Sequence, residues 1–119
     1  MAKLDDGEVL YAHHGDDWIL RIQGPLRYTG ANAMDRFVDW LFAERHPATV
    51  SVDLNAATAI DSTGIGLLAK IANGLERAGQ GQPVLFSRNP EINELLTSVC
   101  LDDVCRIVEE PPPAGAEAG

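Results

Sequence analysis

Short apolar runs alternate with amphipathic helical patterns along most of this 119-residue chain. Apolar runs at 48–54, 83–87 and 104–108 are separated by stretches in which apolar residues recur every three or four positions. Two strands that are joined through a helix run parallel, because the helix brings the chain back to the end of the sheet where the first strand began. The alternation therefore predicts an α/β fold, with a mixed β-sheet and helices packed on it.

Two further apolar runs come before this alternation, at residues 8–13 and 17–22. The segment between them contains Gly15, which can adopt the backbone conformation of a tight turn. We therefore predict an N-terminal antiparallel hairpin, which adds two strands to the sheet.

Three helices are predicted, each from an apolar stripe with polar residues on the opposite side. The first ends before Pro47 and the second at Gly79, while Asn89 caps the third and Pro90 takes its first position. The apolar residues of the three stripes are Ala31, Met34, Phe37, Val38, Leu41 and Phe42; Ile65, Leu68, Ala69, Ile71, Ala72 and Leu75; and Ile92, Leu95, Leu96 and Val99.

The length of the chain fits a single domain that buries one hydrophobic core without disulfides or metals. We assign residues 1–7 to an N-terminal extension and residues 8–109 to the folded domain. Residues 110–119 are rich in Pro, Gly and Ala and offer little apolar surface to bury. We expect this tail to be disordered.

Charge excludes several classes of partner. Nine Lys and Arg residues against 18 Asp and Glu residues give a formal net charge of −9, which repels nucleic-acid phosphates and anionic lipids. The first residues lack the apolar stretch of a signal peptide, and no apolar run is long enough to cross a bilayer. The sequence predicts a cytoplasmic protein with no nucleic-acid partner and no membrane span.

Cysteine and histidine usage gives no indication of a disulfide or a metal site. Cys100 and Cys105 lie close together in a chain without an export signal, which favours reduced thiols that act as small buried apolar residues. His13, His14 and His46 lack the spacing of zinc ligands. We predict no metal and no cofactor.

The segment that carries chemistry is the polar turn between the strand at 48–54 and the second helix. Asp61, Ser62 and Thr63 stand at a helix N-terminus, where unpaired backbone N–H groups favour a negative charge. Gly64 and Gly66 add no bulk in the first turn, so another backbone could approach Ser62 closely. Two interpretations stay open from local chemistry: a phosphoacceptor serine, or an ordinary N-cap formed by Asp61 or Ser62.

Residues 52–54 followed by 59–66 resemble the signature of the STAS domain, an apolar strand that leads into Asp-Ser-Ser/Thr-Gly-Leu/Ile-Gly. Residues 20–26 resemble the family's strand ending in Gly-x-Leu, and the strand from Pro83 and the helix from Pro90 lie where the family has them. The resemblance covers residues 8–109 and is to the anti-sigma factor antagonists of that family.

This resemblance implies a partner-switching regulator of transcription in bacteria. The partner is an anti-sigma factor that is also a serine kinase with a histidine-kinase-like ATPase fold. It would be bound while Ser62 is unphosphorylated and released once it has phosphorylated Ser62, and a PP2C-type phosphatase would reset the cycle. The residues implied in partner binding are Asp61, Thr63, Gly64, Ile65, Gly66, Arg27 and Tyr28.

Arg27 departs from the family pattern, because many members have an acid at that position. An arginine near Ser62 could pair with a phosphate through its planar guanidinium. It could equally be an ordinary solvated arginine. Tyr28, next to it, is a candidate for the partner-contact surface.

Two other functions compete with this interpretation. A STAS accessory subunit of an ABC-type lipid transport complex would share the fold without a phosphate switch, but the intact Asp-Ser-Thr-Gly at 61–64 favours signalling. A serine hydrolase would need His13 or His14 to reach Ser62 as its base, and the chain lacks Gly-x-Ser-x-Gly. We predict that the protein is not an enzyme.

Overall fold

In the computed structural model of the chain, the backbone is described for residues 2–3, 9–26 and 28–110, and the side chains for residues 9–25 and 33–110. The described strands are β1 (Ala2–Lys3), β2 (Val9–His14), β3 (Asp17–Leu26), β4 (Thr49–Ile60), β5 (Val84–Phe86) and β6 (Arg106–Val108). The helices are α1 (Tyr28–Trp40), α2 (Ser62–Arg77) and α3 (Pro90–Ser98). A π-helical segment (Leu41–Arg45) extends α1, and a 3-10 turn (Leu101–Asp103) precedes β6.

The six described strands form one mixed sheet in the order β1-β2-β3-β4-β5-β6. The pairs β1–β2 and β2–β3 are antiparallel, and β3 to β6 run parallel to one another. This arrangement confirms the predicted hairpin and the predicted alternation of helices and parallel strands. Residues 2–3 of the assigned N-terminal extension add a short strand at the edge of the sheet.

Local signals located two elements correctly. Gly15 has φ +62° in the hairpin turn, where a side chain would be strained. At the start of α3, Asn89 accepts a hydrogen bond from the Glu91 amide at 3.0 Å, and Pro90 occupies the first helical position. Both features follow the sequence prediction.

Strand β4 is longer than predicted, because it continues past residue 54 to Ile60. Its pairing with β3 shifts register between Arg21 and Gln23 and again between Gly24 and Pro25. At the first shift the Asp53 carboxylate accepts hydrogen bonds from the Asn55 amide at 2.9 Å and from Arg21 Nε at 3.2 Å. These two irregularities allow the small and polar residues in the second half of β4 to stay paired with β3 as far as the carboxyl ends of both strands.

Other differences are confined to element ends. Helix α1 begins at Tyr28, three residues before the start of the predicted stripe, because the stripe marks only its buried side. Strand β6 begins at Arg106, two residues after the start of the predicted strand at 104–108, since the 3-10 turn Leu101–Asp103 immediately precedes this segment.

The helices pack on one face of the sheet. Each parallel strand is added beside the previous one, and right-handed crossovers in a constant direction leave the connecting helices on the same side. Apolar residues of all three helices accordingly form one cluster with residues of the strands: Leu20, Ile22, Met34, Val38, Val52, Leu54, Leu68, Ile71, Leu75, Leu85, Ile92 and Leu96. None of the helices in the described part of the chain has the length and apolar content required to cross a bilayer.

An ion-pair cluster joins α1 to α2 on the outside of this core. Lys70 Nζ donates to Asp35 Oδ1 at 2.7 Å and to Asp39 Oδ1 at 2.6 Å. The hydrogen bond to Asp35, followed by the one to Asp39, raises the pKa of Lys70 above its ordinary value. The contact is therefore fully present at neutral pH, and on the alkaline side it is lost as the pH rises through the raised pKa of this lysine.

The two cysteines occupy different environments. Both thiols are free, Cys105 is buried and Cys100 is exposed, so the expected role of a small buried apolar residue applies to Cys105 alone. Cys100 follows α3 in the left-handed region, with φ +62°. Burial raises the pKa of the Cys105 thiol to about 11.

We expect a thiol-specific reagent at pH 8 to modify one cysteine per chain, at Cys100. Because the pKa of Cys105 is about 11, only on the order of one in a thousand of its thiols would be ionised at that pH, and its burial limits access further. Ellman's reagent should report the second thiol only after denaturant is added, and Cys100→Ser should abolish the fast reaction. Fast reaction of two thiols in the folded wild type would contradict the burial of Cys105.

Candidate functional site

The Asp-Ser-Thr-Gly segment forms the turn from β4 into α2. Strand β4 ends at Ile60, and Ile60 pairs with Leu26, the last residue of β3. The carboxyl ends of the two strands therefore lie side by side, and α1 and α2 both begin at this end of the sheet. The carboxyl ends of parallel strands are where α/β proteins commonly bind their ligands.

Asp61 is the N-cap of α2. Its backbone is extended, with φ −103° and ψ −175°, and its carboxylate oxygen accepts a hydrogen bond from the Gly64 amide at 3.1 Å. Its carbonyl accepts the first helical hydrogen bond, from the Ile65 amide at 3.0 Å. The N-cap interpretation is therefore confirmed for Asp61, which leaves Ser62 without that role.

Ser62 is the first residue of α2, and its side chain is exposed. Its hydroxyl takes part in no hydrogen bond with any described residue. As a residue of the first turn, it also has a backbone N–H with no acceptor inside the helix. Thr63 follows it in the helix but is half-buried, so of the two neighbouring hydroxyl residues Ser62 is the more accessible.

The two glycines of the motif differ in exposure. Gly64 is buried, and its amide is already engaged by Asp61. Gly66 is exposed, and a Cβ atom at this position would meet nothing within 4 Å. Ile65 is half-buried and packs against the core cluster. The bare backbone that the sequence predicts beside Ser62 is therefore provided by Gly66 and not by Gly64.

Lys70 belongs to the same face of α2 but was not singled out from the sequence. Ser62, Gly66 and Lys70 are four residues apart, so they lie above one another along the helix. The spacing alone could have indicated Lys70, but its contact with Asp35 and Asp39 depends on the packing of α1 against α2. The exposed face of α2 that carries Ser62 therefore continues to the ion-pair cluster of Lys70 with Asp35 and Asp39.

Two predicted contact residues cannot be placed with Ser62. Arg27 lies outside the described residues. Tyr28 begins α1, and its side chain lies outside the described part of the chain. The partner-contact role of both residues stays a prediction.

The histidines lie at the end of the sheet where β3 and β4 begin, which is opposite the end that carries Ser62. His13 and His14 end β2 and pair with Trp18 and Asp17 at the start of β3. Asp17 in turn pairs with Thr49, the first residue of β4, whereas Ser62 lies two residues after Ile60, the last residue of that strand. Neither histidine is therefore placed to take a proton from Ser62, as a serine hydrolase would require.

Replacing Asp61 with Ala should destabilise the fold by about 1 kcal/mol, because the Gly64 amide loses its acceptor and is left unsatisfied. Asp61→Asn is the matched control, since its amide oxygen can still cap the helix. Urea denaturation of both variants measures the difference. Equal losses of stability in the two variants would show that the carboxylate acts through its charge and not as a cap.

The comparisons with known proteins agree with this motif and this fold. A family model described as STAS domain matches residues 8–111. No curated protein sequence matches the chain. Among solved structures, the anti-sigma factor antagonist SpoIIAA in its unphosphorylated form is similar with a TM-score of 0.75 at 13% identity, over 92% of this chain and 96% of that one.

Two further structures share the fold. An anti-sigma factor antagonist from Mycobacterium paratuberculosis has a TM-score of 0.75 at 18% identity, covering 91% of each chain. The phosphorylated form of the Bacillus cell fate determinant SpoIIAA has a TM-score of 0.69 at 16% identity, over 86% of this chain and 92% of that one. Since the family model spans most of the sequence, the chain belongs to the STAS domain family.

Proposed function

We propose that this protein is an anti-sigma factor antagonist whose partner binding is switched by phosphorylation of Ser62. The partner is an anti-sigma factor that is also a serine kinase with a histidine-kinase-like ATPase fold. The unphosphorylated protein binds this partner and the phosphorylated protein releases it, while a PP2C-type phosphatase restores the first state.

The observation that carries the proposal is the placement of Ser62 within a STAS domain. Its hydroxyl is exposed at the start of α2, it is bound by no described residue, and it stands beside the bare backbone at Gly66. A kinase needs such access to the hydroxyl. A partner can also pack closely against this turn, because no side chain projects at Gly66.

The electrostatics of the turn explain how a phosphate would act. A phosphate adds about −1.5 to −2 charges at neutral pH, next to the carboxylate of Asp61. Asp61 already occupies the Gly64 amide, so the phosphate gains only the remaining N–H groups and the helix dipole, which contribute roughly 0.3–1 kcal/mol at an exposed position. A partner seated on this turn would have to desolvate the added charge, and it would therefore dissociate.

The solved relatives support this proposal in one respect. SpoIIAA is known in an unphosphorylated and in a phosphorylated form, and this chain is similar to both structures. A fold that persists in both states suits a switch that acts through local charge. For this chain, the contact surface would comprise the motif residues from Asp61 to Gly66, together with Arg27 and Tyr28.

Phosphosite mapping tests the proposal directly. The protein is incubated with ATP and candidate kinases of the histidine-kinase-like ATPase fold from the same genome, and the product is analysed by mass spectrometry. We expect one phosphate, at Ser62, none in Ser62→Ala, and a phosphate still located at Ser62 in the control Thr63→Ala. Phosphate found only at Thr63, Ser87 or Ser98 would contradict the assignment.

A further inference from the structure

A second candidate site lies at the other end of α2 from Ser62. A half-open cavity of about 270 Å³ is formed there by the last turns of α2, the loop that follows this helix and the 3-10 turn before β6. Glu76, on the helical side of the cavity, lies roughly 21 Å further along α2 than Ser62. A protein bound over Ser62 would therefore leave the cavity accessible.

The loop after α2 shapes one wall of the cavity. Gly79 has φ +74°, a left-handed conformation that turns the chain at the end of the helix. The Gln80 amide donates to the Leu75 carbonyl at 2.9 Å, and Nε2 of Gln82 donates to the Asp103 carbonyl at 3.1 Å. These hydrogen bonds hold the loop against both α2 and the 3-10 turn, so the cavity is fixed by the fold.

The walls of the cavity combine apolar surface with carboxylates that have no protein partner. Ala72 is buried at the cavity wall, and Val104 beside the opening is 37% exposed. The exposed side chains of Glu76 and Asp103 form no ion pair and no hydrogen bond with any described residue. No Lys, Arg or His in the described part of the chain lines the cavity. Its charged groups are therefore all acidic.

Two exposed valines flank the 3-10 turn at this end of the molecule. Val99 closes α3 before the turn and is 45% exposed, while Val104 follows the turn. Together with Trp40, they are the exposed large apolar residues of the chain as far as the structure describes it. Apolar carbon next to carboxylates without a partner is complementary to a side chain that has a long methylene stem and a cationic head.

We propose that this cavity receives a lysine or arginine side chain from a basic segment of a second partner protein. The methylene stem would pack along Ala72 and Val104, and the charged head would remain at the rim. There the carboxylates of Glu76 and Asp103 accept its hydrogen bonds. The net charge of −9 attracts a cationic segment over a longer range. The proposal does not depend on the phosphorylation switch.

The size of the cavity favours a side chain carried by a longer segment over a free small molecule. Sites for small ligands typically enclose about 300–1,000 Å³ and bury most of the ligand, whereas this cavity is smaller and open on one side. Apolar neighbours of the basic residue can gain further contacts on Val99 and Val104. Because the carboxylates are exposed to solvent, each ion pair is weak, and we expect a dissociation constant on the order of 1 mM for a short peptide.

NMR spectroscopy of the ¹⁵N-labelled protein measures this binding residue by residue. The probes are the blocked peptide Gly-Val-Lys-Val-Gly and two analogues with norleucine or glutamate in place of lysine. The lysine peptide should shift the amide signals of Glu76, Gln80, Gln82, Asp103 and Val104 in a saturable manner. Norleucine keeps the stem but lacks the charge, so its peptide should bind at least about 10-fold more weakly, and the glutamate peptide should not bind.

Variants assign the attraction to the two carboxylates of the cavity. Glu76→Gln and Asp103→Asn should each weaken binding of the lysine peptide by about 3-fold, and the double variant should weaken it by about 10-fold. Glu94→Gln is the matched control, because Glu94 is an exposed acid of α3 that does not line the cavity. It removes the same charge from the chain and should leave the affinity unchanged. Circular dichroism of each variant verifies that the fold is retained.

Three results would overturn the proposal. The first is the absence of saturable shifts around the cavity with the lysine peptide at concentrations up to about 20 mM. The second is equal weakening by Glu76→Gln and Glu94→Gln, because the peptide would then respond only to the overall charge of the chain. The third is binding of n-butylammonium ion at the cavity as tightly as the lysine peptide, which would assign the cavity to free amines and not to a protein segment.

Discussion

Ser62→Asp should lower the affinity for the anti-sigma factor by about 100-fold or more, whereas Ser62→Ala should bind as tightly as the unphosphorylated wild type. The aspartate places a second carboxylate beside Asp61 at the start of α2, on a surface that the partner must desolvate. A phosphate carries more charge than this aspartate, so the phosphorylated protein should bind more weakly still.

Calorimetry with the purified anti-sigma factor measures these affinities. Asn73→Asp is the matched control, because it adds the same charge to an exposed position of the same helix, roughly 16 Å further along. All variants should keep the wild-type circular dichroism spectrum and nearly the same unfolding midpoint. Equal affinity of wild type, Ser62→Ala and Ser62→Asp would refute the switch and favour the transport-subunit alternative. A collapsed spectrum for Ser62→Asp would instead refute the local mechanism.

The second large effect is expected at Gly74, where α2 contacts the π-helical segment. A Cβ atom at this position would lie 2.6 Å from Cζ of the Phe42 ring and 2.8 Å from both Cε atoms. Gly74→Ala therefore forces the half-buried ring to move, at a cost of about 1–3 kcal/mol for such overpacking. This cost exceeds the gain of roughly 0.5–1 kcal/mol that alanine normally brings to a helix interior.

We therefore expect Gly74→Ala to lower the free energy of unfolding by about 1–2 kcal/mol and the melting temperature by about 5 °C or more. Gly66→Ala is the control in the same helix, because its Cβ meets open space, and it should raise the stability. Chemical denaturation of Gly74→Ala, Phe42→Leu and the double variant gives the coupling between the two sites. A stability gain in Gly74→Ala equal to that in Gly66→Ala would show that Phe42 moves aside without cost.

Much of the fold could be predicted because its signals are local. The hairpin follows from Gly15 between two apolar runs, and the start of α3 follows from Asn89 and Pro90. The second half of β4 could not be predicted, because most of its residues are alanine or asparagine, which have low strand propensity. They are held in the sheet by β3, through a register that only the folded chain defines.

The candidate site divides in the same way. The motif and its likeness to the STAS signature were sufficient to locate Ser62 and Asp61 at the start of a helix, and the cap geometry confirms the latter's role. The burial of Gly64 was not foreseen, since it depends on how α2 sits against the rest of the domain. The contacts among Trp18, Trp40 and Arg45 also left no sequence signal, because these residues meet only after β3 and α1 have packed together.

The order of the strands has a consequence for how the chain acquires its structure during synthesis. Because the sheet follows the chain order from β1 to β6, each new strand finds its neighbour already made when it leaves the ribosome. Asp17 pairs with Thr49, Ser51 with Val84 and Val84 with Arg106, so no parallel pairing has to close a loop longer than roughly a third of the chain. The sheet can grow from the hairpin by one strand at a time, so the pairing of β3 with β4, which leads into the turn at Ser62, does not require β5 or β6 to be added first.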